Sequence, residues 1–277
     1  HAQIDRIIEA VSRRIERETR RYFIPRTETR LFRWPRPSPG RSYVLWLDQA
    51  LISLTTLKTT AQDTSPTTIV AADYFLEPNN QGPPYDRIEI DLSSSAAFES
   101  GTTPQRSVSV LGLWGFTQAT RSTGIIDDSG GISSTDVTLK VSNAALINVG
   151  DTLLIESEQI FVSDRDFAAL GTILLNGALT ADKAGVTVVV DVTHGINAGE
   201  VIRVESEQMY VEVVSVNNLT VVRAYNGTVL ASHADDTAVH INRTLTIERA
   251  ANGTTAATHA DAVAITVYEP PFDIVLL

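Results

Sequence analysis

The chain opens on apolar positions that recur with a period near 3.6. Ile4, Ile7, Ile8, Val11, Ile15 and Tyr22 follow one another at spacings of three, four or seven. Between them lie Arg6, Arg13, Arg14, Arg17, Arg20 and Arg21, interleaved with Glu9, Glu16 and Glu18. This pattern predicts one amphipathic helix with an apolar stripe and a basic face. Glu9–Arg13 and Glu16–Arg20 are i,i+4 pairs in the favourable orientation. Pro25 ends the helix, because the residue before a proline is driven out of the helical region.

From there the pattern changes to period two or to short apolar runs. Phe32 and Trp34 alternate ahead of Pro35, and residues 36–40 form a turn-rich break. Residues 43–47 are apolar on both faces, as in a covered strand, and residues 51–60 read as the next strand. Residues 72–76 lead into a loop over 78–84. Ile88, Ile90 and Leu92 alternate with Arg87, Glu89 and Asp91, a half-buried strand. Val108, Val110, Trp114 and Phe116 share a face, with Gly112 and Gly115 allowing a neighbouring backbone to come close. Residues 42–118 are therefore expected to form a small antiparallel sheet onto which the first helix packs. The Ser-, Thr-, Gly- and Asp-rich stretch 119–136 reads as a linker.

Beyond it the sequence repeats itself. Residues 150–162 return 49 positions later as 199–211, so that Glu156-Ser157-Glu158-Gln159 becomes Glu205-Ser206-Glu207-Gln208. Residues 219–228 return 26 positions later as 245–254, and His233-Ala234-Asp235 returns as His259-Ala260-Asp261. Asn-Gly at 226–227 and again at 252–253 is a turn signal. The fold class that follows is mainly β with an N-terminal α-helix (α+β). A helix-plus-sheet domain over 1–118 and the linker precede duplicated β-hairpin modules over 137–268, built as a barrel or sandwich. A tail over 269–277 completes the chain. Pro270 and Pro271 stiffen it, and Ile274, Val275, Leu276 and Leu277 are too apolar to be left in water, so it is expected to dock.

Composition adds bounds. The 277 residues are 43 % hydrophobic, enough for one large or two modest cores. No apolar run approaches the roughly 18–20 residues of a membrane helix, and no membrane partner is expected. With no Cys there are no disulfides, no thiolate nucleophile and no Cys-based zinc site. The chain starts at His1, which suggests that residues precede it. Charge is segregated: residues 1–41 hold eleven Arg, no Lys and five acids, within a chain of net charge −11. A basic front on an acidic body is suited to docking on an acidic surface, and Arg favours fixed bidentate contacts.

A search for chemistry returns little. There is no phosphate loop, no His-Glu-x-x-His and no nucleophile elbow. His1, His194, His233, His240 and His259 are dispersed, and His233 and His259 with their following Asp read as caps of strand ends. The twin Glu-Ser-Glu-Gln segments could suggest a glycosidase pair, but they read better as solvated acids at hairpin turns. Asp127-Asp128-Ser129-Gly130 offers too few oxygens for a cation loop. The Asn-x-Ser/Thr sequences starting at Asn218, Asn226, Asn242 and Asn252 follow from turn chemistry. No catalytic residue, no metal site and no cofactor is expected, and the chain does not read as an enzyme. With 22 basic residues against 33 acidic ones it does not read as a nucleic-acid module either.

One run of features, in order, resembles the head-to-tail connector (adaptor) family of long-tailed bacteriophages. It comprises the Arg-rich helix ending Ile15-Glu16-Arg17-Glu18-Thr19-Arg20-Arg21-Tyr22-Phe23, then Pro25 and Thr27-Glu28-Thr29-Arg30. Leu45-Trp46-Leu47, Asp73-Tyr74-Phe75-Leu76-Glu77-Pro78 and residues 108–116 follow. The resemblance covers about two-fifths of the chain. It implies a virion location at the head–tail interface (the neck), in a homo-oligomeric, dodecameric ring between the portal protein and a stopper or tail completion protein, with passing contact with packaged DNA. Arg13, Arg14, Arg17, Arg20 and Arg21 would then meet acidic portal residues or a neighbouring subunit. The family usually lacks a C-terminal half like 137–268, which resembles small β modules of phage virion proteins. Two other readings stand beside it: another neck, tail or decoration protein, and a carbohydrate-binding tail-tip β protein.

Overall fold

The computed structural model describes residues 2–19, 21–35, 42–191 and 195–269. The chain is mainly β with antiparallel sheets and a short N-terminal helix, the class its pattern predicts. It divides into two compact units, one running to Ala119 and the other spanning Thr120–Tyr268.

Unit 1 begins with α1 (Ala2–Thr19). The strands β1 (Arg26–Phe32), β2 (Val44–Thr59), β3 (Thr67–Ile69), β4 (Tyr74–Glu77), β5 (Tyr85–Ile90) and β6 (Val108–Trp114) follow. They form a sheet in the order β1-β6-β2-β5-β4, with β3 also paired to β2. Leu45, Leu51, Leu57, Ile88, Val108, Val110 and Trp114 fill its core. The two strands expected over 43–47 and 51–60 are one 16-residue strand. Asp48, Gln49 and Ala50 mark a change of partner instead of a break: the first part of β2 pairs with β5 and the rest with β6. Gly112 on β6 lies tight against β2, opposite Leu54. A Cβ there would lie 2.4 Å from the Ser53 carbonyl oxygen, so a side chain cannot be accommodated without moving backbone.

Unit 2 contains β7 (Thr120–Ile125), β8 (Thr138–Lys140), β9 (Thr152–Ile155), β10 (Glu158–Leu174) and β11 (Thr187–Val189). It continues with β12 (Val201–Val204), β13 (Glu207–Ser215), β14 (Asn218–Val222), β15 (Ala238–Glu248) and β16 (Ala264–Tyr268). The pairings close two barrels. In the first, β7-β16-β9-β10-β15-β8 is closed by the Ile126–Val141 bridge. In the second, the end of β10, the start of β15, then β12, β13, β14 and β11 are closed by the Leu175–Val190 bridge. Each has its own core, Ile126, Leu139, Leu153, Ile160, Leu245 and Val267 in one and Leu175, Val188, Ile202, Met209, Leu219 and Ile241 in the other. Closure leaves few free edges, which suits a chain of short strands.

The repeat and the barrels coincide. Phe161 pairs with Glu248 and Val162 with Ile247, followed by a bulge before Asp164–Thr246. Tyr210 pairs with Val222 and Val211 with Val221, followed by a bulge before Val213–Thr220. These are the same pairs displaced by 49 and 26 positions. In the second barrel the hairpin is closed by Val216 and Asn217, between Ser215 and Asn218. In the first, the equivalent gap lies between Asp166 and Thr244, and residues 167–243 fill it. The second barrel is thus inserted into the hairpin tip of the first, and the long strands β10 and β15 carry the chain across. Glu200 fastens the junction: it binds the Arg243 guanidinium at 2.7 Å through each oxygen and accepts the Ala144 amide at 3.0 Å.

The stretch 119–136 is not a linker. Residues 120–125 pair with β16 from Tyr268 back to Ala264, and Ile126 and Ile132 are buried in the first core. Thr120 and Ser122 face water, and the buried Thr123 hydroxyl is satisfied by the Ile265 carbonyl at 3.2 Å. The tail residues Ile274 to Leu277, whose docking was expected, lie outside the described residues, as does the break at 36–40.

Candidate functional sites

Two kinds of site emerge from the sequence, the basic helix and the duplicated acidic and histidine motifs. The helix forms where the 3.6 pattern predicts it and is tied down at its C-terminal end. Glu16 accepts a hydrogen bond from Arg26 at 2.7 Å, and the Arg26 guanidinium lies over the Tyr22 ring at 4.4 Å. Arg21 lies over the Phe116 ring, also at 4.4 Å. Of the stripe residues whose side chains are described, Tyr22 packs against the core of unit 1, whereas Val11 is 50 % and Ile15 47 % exposed. Arg13, Arg14, Arg17 and Arg21 are exposed as well. Arg20, the fifth of the expected set, lies outside the described residues, as do the side chains of Ile4, Ile7 and Ile8. Unit 1 also leaves aromatic rings in water on the outer face of β2, β5 and β4. Trp46, 58 % exposed, stacks with Arg87 at 5.3 Å, and Phe75 is 54 % exposed.

The acidic motifs do something other than line turns. Glu156 and Glu205 do sit exposed at tight turns, with φ of 53° and 52°. Glu158 and Glu207 are instead fully buried. One Glu158 oxygen accepts Arg249 Nε at 2.9 Å and the Ala250 amide at 3.0 Å. The other accepts Arg249 Nη2 at 2.8 Å and the Ala257 amide at 3.0 Å, and meets His259 Nε2 at 2.8 Å. His259 Nδ1 reaches Glu156 at 2.7 Å. Glu207 repeats every contact with Arg223, Ala224, Ala231 and His233, and His233 reaches Glu205 at 2.7 Å. His233 and His259 are therefore buried bridges between two carboxylates, not strand caps.

The turn beneath each cluster is held in the same duplicated way. Ala250 and Ala224 take φ of 54°, and Asn252 and Asn226 take φ of 52° and 53°, left-handed values that Asn tolerates and Ala does not favour. Asn252 donates to Gln159 at 2.9 Å and Asn226 to Gln208 at 2.9 Å. Thr254 and Thr228 each accept a Gln amide at 3.0 Å. The Glu carboxylates thus fix a strained turn by accepting the amides of the very Ala residues that are strained.

Electrostatics follow from this geometry. Burial would raise the Glu158 carboxyl, but Arg249, the Ala257 and Ala250 amides and His259 outweigh it and hold the group at about 2 against an ordinary 4.5. Glu207 is held at about 2 in the same way, with Arg223 and His233 outweighing burial. Two guanidinium N–H groups and two backbone amides occupy the roughly four lone-pair positions of each carboxylate, with a His nitrogen against it as well, which leaves no room for a substrate or an ion. Among the described residues no group of three or more His, Asp or Glu is arranged to hold a metal. No described helix is long and apolar enough to cross a membrane.

The repeats legible in the sequence contain every Glu, Arg and His of these clusters, but do not show their convergence. The available signal was co-duplication. An acid, an arginine and a histidine in three separate segments each occur twice, which is expected when three segments form one unit. No protein-family model, no curated protein and no solved structure matches the chain, so the reading of its role rests on its own residues.

Proposed function

We propose that this chain is a structural protein of a virion, a head-to-tail adaptor that docks on an acidic partner through α1 and its neighbours in a ring. The observation that carries the reading is the exposed amphipathic face of α1. Val11 and Ile15 stand about half exposed on one side of the helix, with Arg14 flanking them, while Arg13 and Arg17 are exposed on the opposite, basic side. An amphipathic helix ordinarily buries its apolar residues, so Val11 and Ile15 are kept for a partner. Trp46 and Phe75 add the kind of exposed aromatic surface that anchors interfaces. The titratable groups that do converge are consumed in holding turns, so the reading needs no reacting residue. The portal protein is the partner on one side and a stopper or tail completion protein on the other, with the barrels of unit 2 as accessory modules.

The test is reversal of charge on the exposed face. Arg13→Glu, Arg14→Glu and Arg17→Glu together should abolish binding to the purified portal at physiological salt. The fold should survive, because exposed helix positions tolerate such changes within about 0.5 kcal/mol each. Binding that persists in the triple variant would show the basic face to be merely solvated.

A further inference from the structure

The two barrels share one register, so each outward position in one has a twin in the other, and the chain supplies its own comparison. On the face made by β8, β15 and β10, the first barrel carries Lys140, Asp164, Asp166 and Glu248, all exposed. Their twins on β11, β13 and β14 are Val189, Val213, Ser215 and Val222. Thr138 and Thr246 correspond to Thr187 and Thr220, uncharged in both. Val213 is 54 % exposed, and Val216 at the adjoining hairpin tip is 84 % exposed. Glu212, at the bulge, is a charge at the margin of this face, where the first barrel has Ser163. The fold does not require an apolar exterior here, since the first barrel closes in the same register with four charges in place. The replacement of those charges by Val and Ser therefore belongs to what the second barrel touches.

We propose that the β11–β14–β13 face is a contact surface for a second copy of this chain, paired face to face about a two-fold axis. The choice of partner follows from charge. Unit 2 has eighteen acidic and eight basic residues, so two copies repel each other over most of their surface. An uncharged Val/Thr face is where two such barrels meet without setting carboxylate against carboxylate. A two-fold contact brings that face onto itself, and apolar sheet faces interdigitate when stacked about 10 Å apart. A partner that recognised the barrel by charge would need the acids this face has lost. The face is smaller than a standard interface of about 20–30 residues a side. Pairing is therefore weak between isolated chains and shows only at high protein concentration.

Sedimentation equilibrium of the full chain tests this, from low micromolar to near-millimolar protein, at low and at high salt. A dimer should form with concentration and should tighten as salt screens the acidic repulsion. Val213→Asp with Val222→Glu should weaken it by roughly tenfold or more. These are the residues the first barrel carries at the twin positions, so the fold should be unchanged by circular dichroism and thermal unfolding. The same dimer should form in an Arg14→Glu/Arg17→Glu background, which separates this contact from docking by α1. A chain that stays monomeric throughout, a dimer indifferent to the Val213/Val222 changes, one that weakens with salt, or one lost in the Arg background would overturn the proposal.

Discussion

Glu158 and Glu207 are each fully buried facing an arginine, and that decides what a substitution there does. Glu158→Gln leaves the Arg249 guanidinium facing a neutral group and removes an acceptor from the Ala257 amide or His259. Breaking a buried pair in this way costs about 3–5 kcal/mol, which denaturant unfolding would read as a lowered midpoint. Glu156→Gln, at an exposed turn, should cost well under half of that. The pH dependence follows from the same carboxylates. Their folded values of about 2 lie below the ordinary 4.5. The stability they contribute is therefore complete above about 4.5 and is lost as pH falls from there toward 2. Melting temperature followed over that range should drop in the native chain and drop less steeply in a Glu158→Gln/Glu207→Gln variant. Gly112→Ala makes a different demand, since its Cβ would meet the Ser53 oxygen at 2.4 Å. Overpacking of this kind costs typically 1–3 kcal/mol. At this scale the sequence showed which residues matter but not why. A Glu next to a turn looks solvated, and only the arrival of Arg249 or Arg223 from a distant segment makes its burial possible.

At the scale of elements, the nested barrels explain both the reach and the limit of pattern reading. The period-3.6 start and the period-2 remainder gave the helix and most strands, because amphipathicity depends on local order alone. The two stretches around Asp48 were read as separate strands, since a change of pairing partner looks like a break in the pattern. The stretch 119–136 reads as a linker from sequence because Ser, Thr, Gly and Asp dominate it, whereas the pairing that makes 120–125 a strand comes from the distant β16. Nesting itself was beyond reach, because it depends on which copy of each repeat pairs with which. It carries a prediction. Deleting residues 167–243 and joining Asp166 to Thr244 through a Val-Asn pair, with Arg165→Val to match Val214, should leave a folded first barrel. Proton–nitrogen NMR spectra of the shortened chain should retain dispersed resonances for the Glu158 cluster. Collapse of that dispersion would mean that the first barrel depends on the second, through Glu200 and its contacts with Arg243 and Ala144.

For the whole molecule, the segregated charge and the uncovered helix point the same way. A basic, partly apolar α1 on an acidic chain suits an assembly in which each copy meets an acidic partner on one side and its own kind on another. The charge asymmetry was legible from composition, whereas the exposure of Val11 and Ile15 was not, because the same stripe would suit packing on the chain's own sheet. The most direct measurement of the central claim is negative-stain microscopy of the purified chain mixed with purified portal protein. A collar of symmetric density should appear beneath the portal and should be absent with the Arg13/Arg14/Arg17 reversal. Bare portals beside dispersed single chains would contradict it.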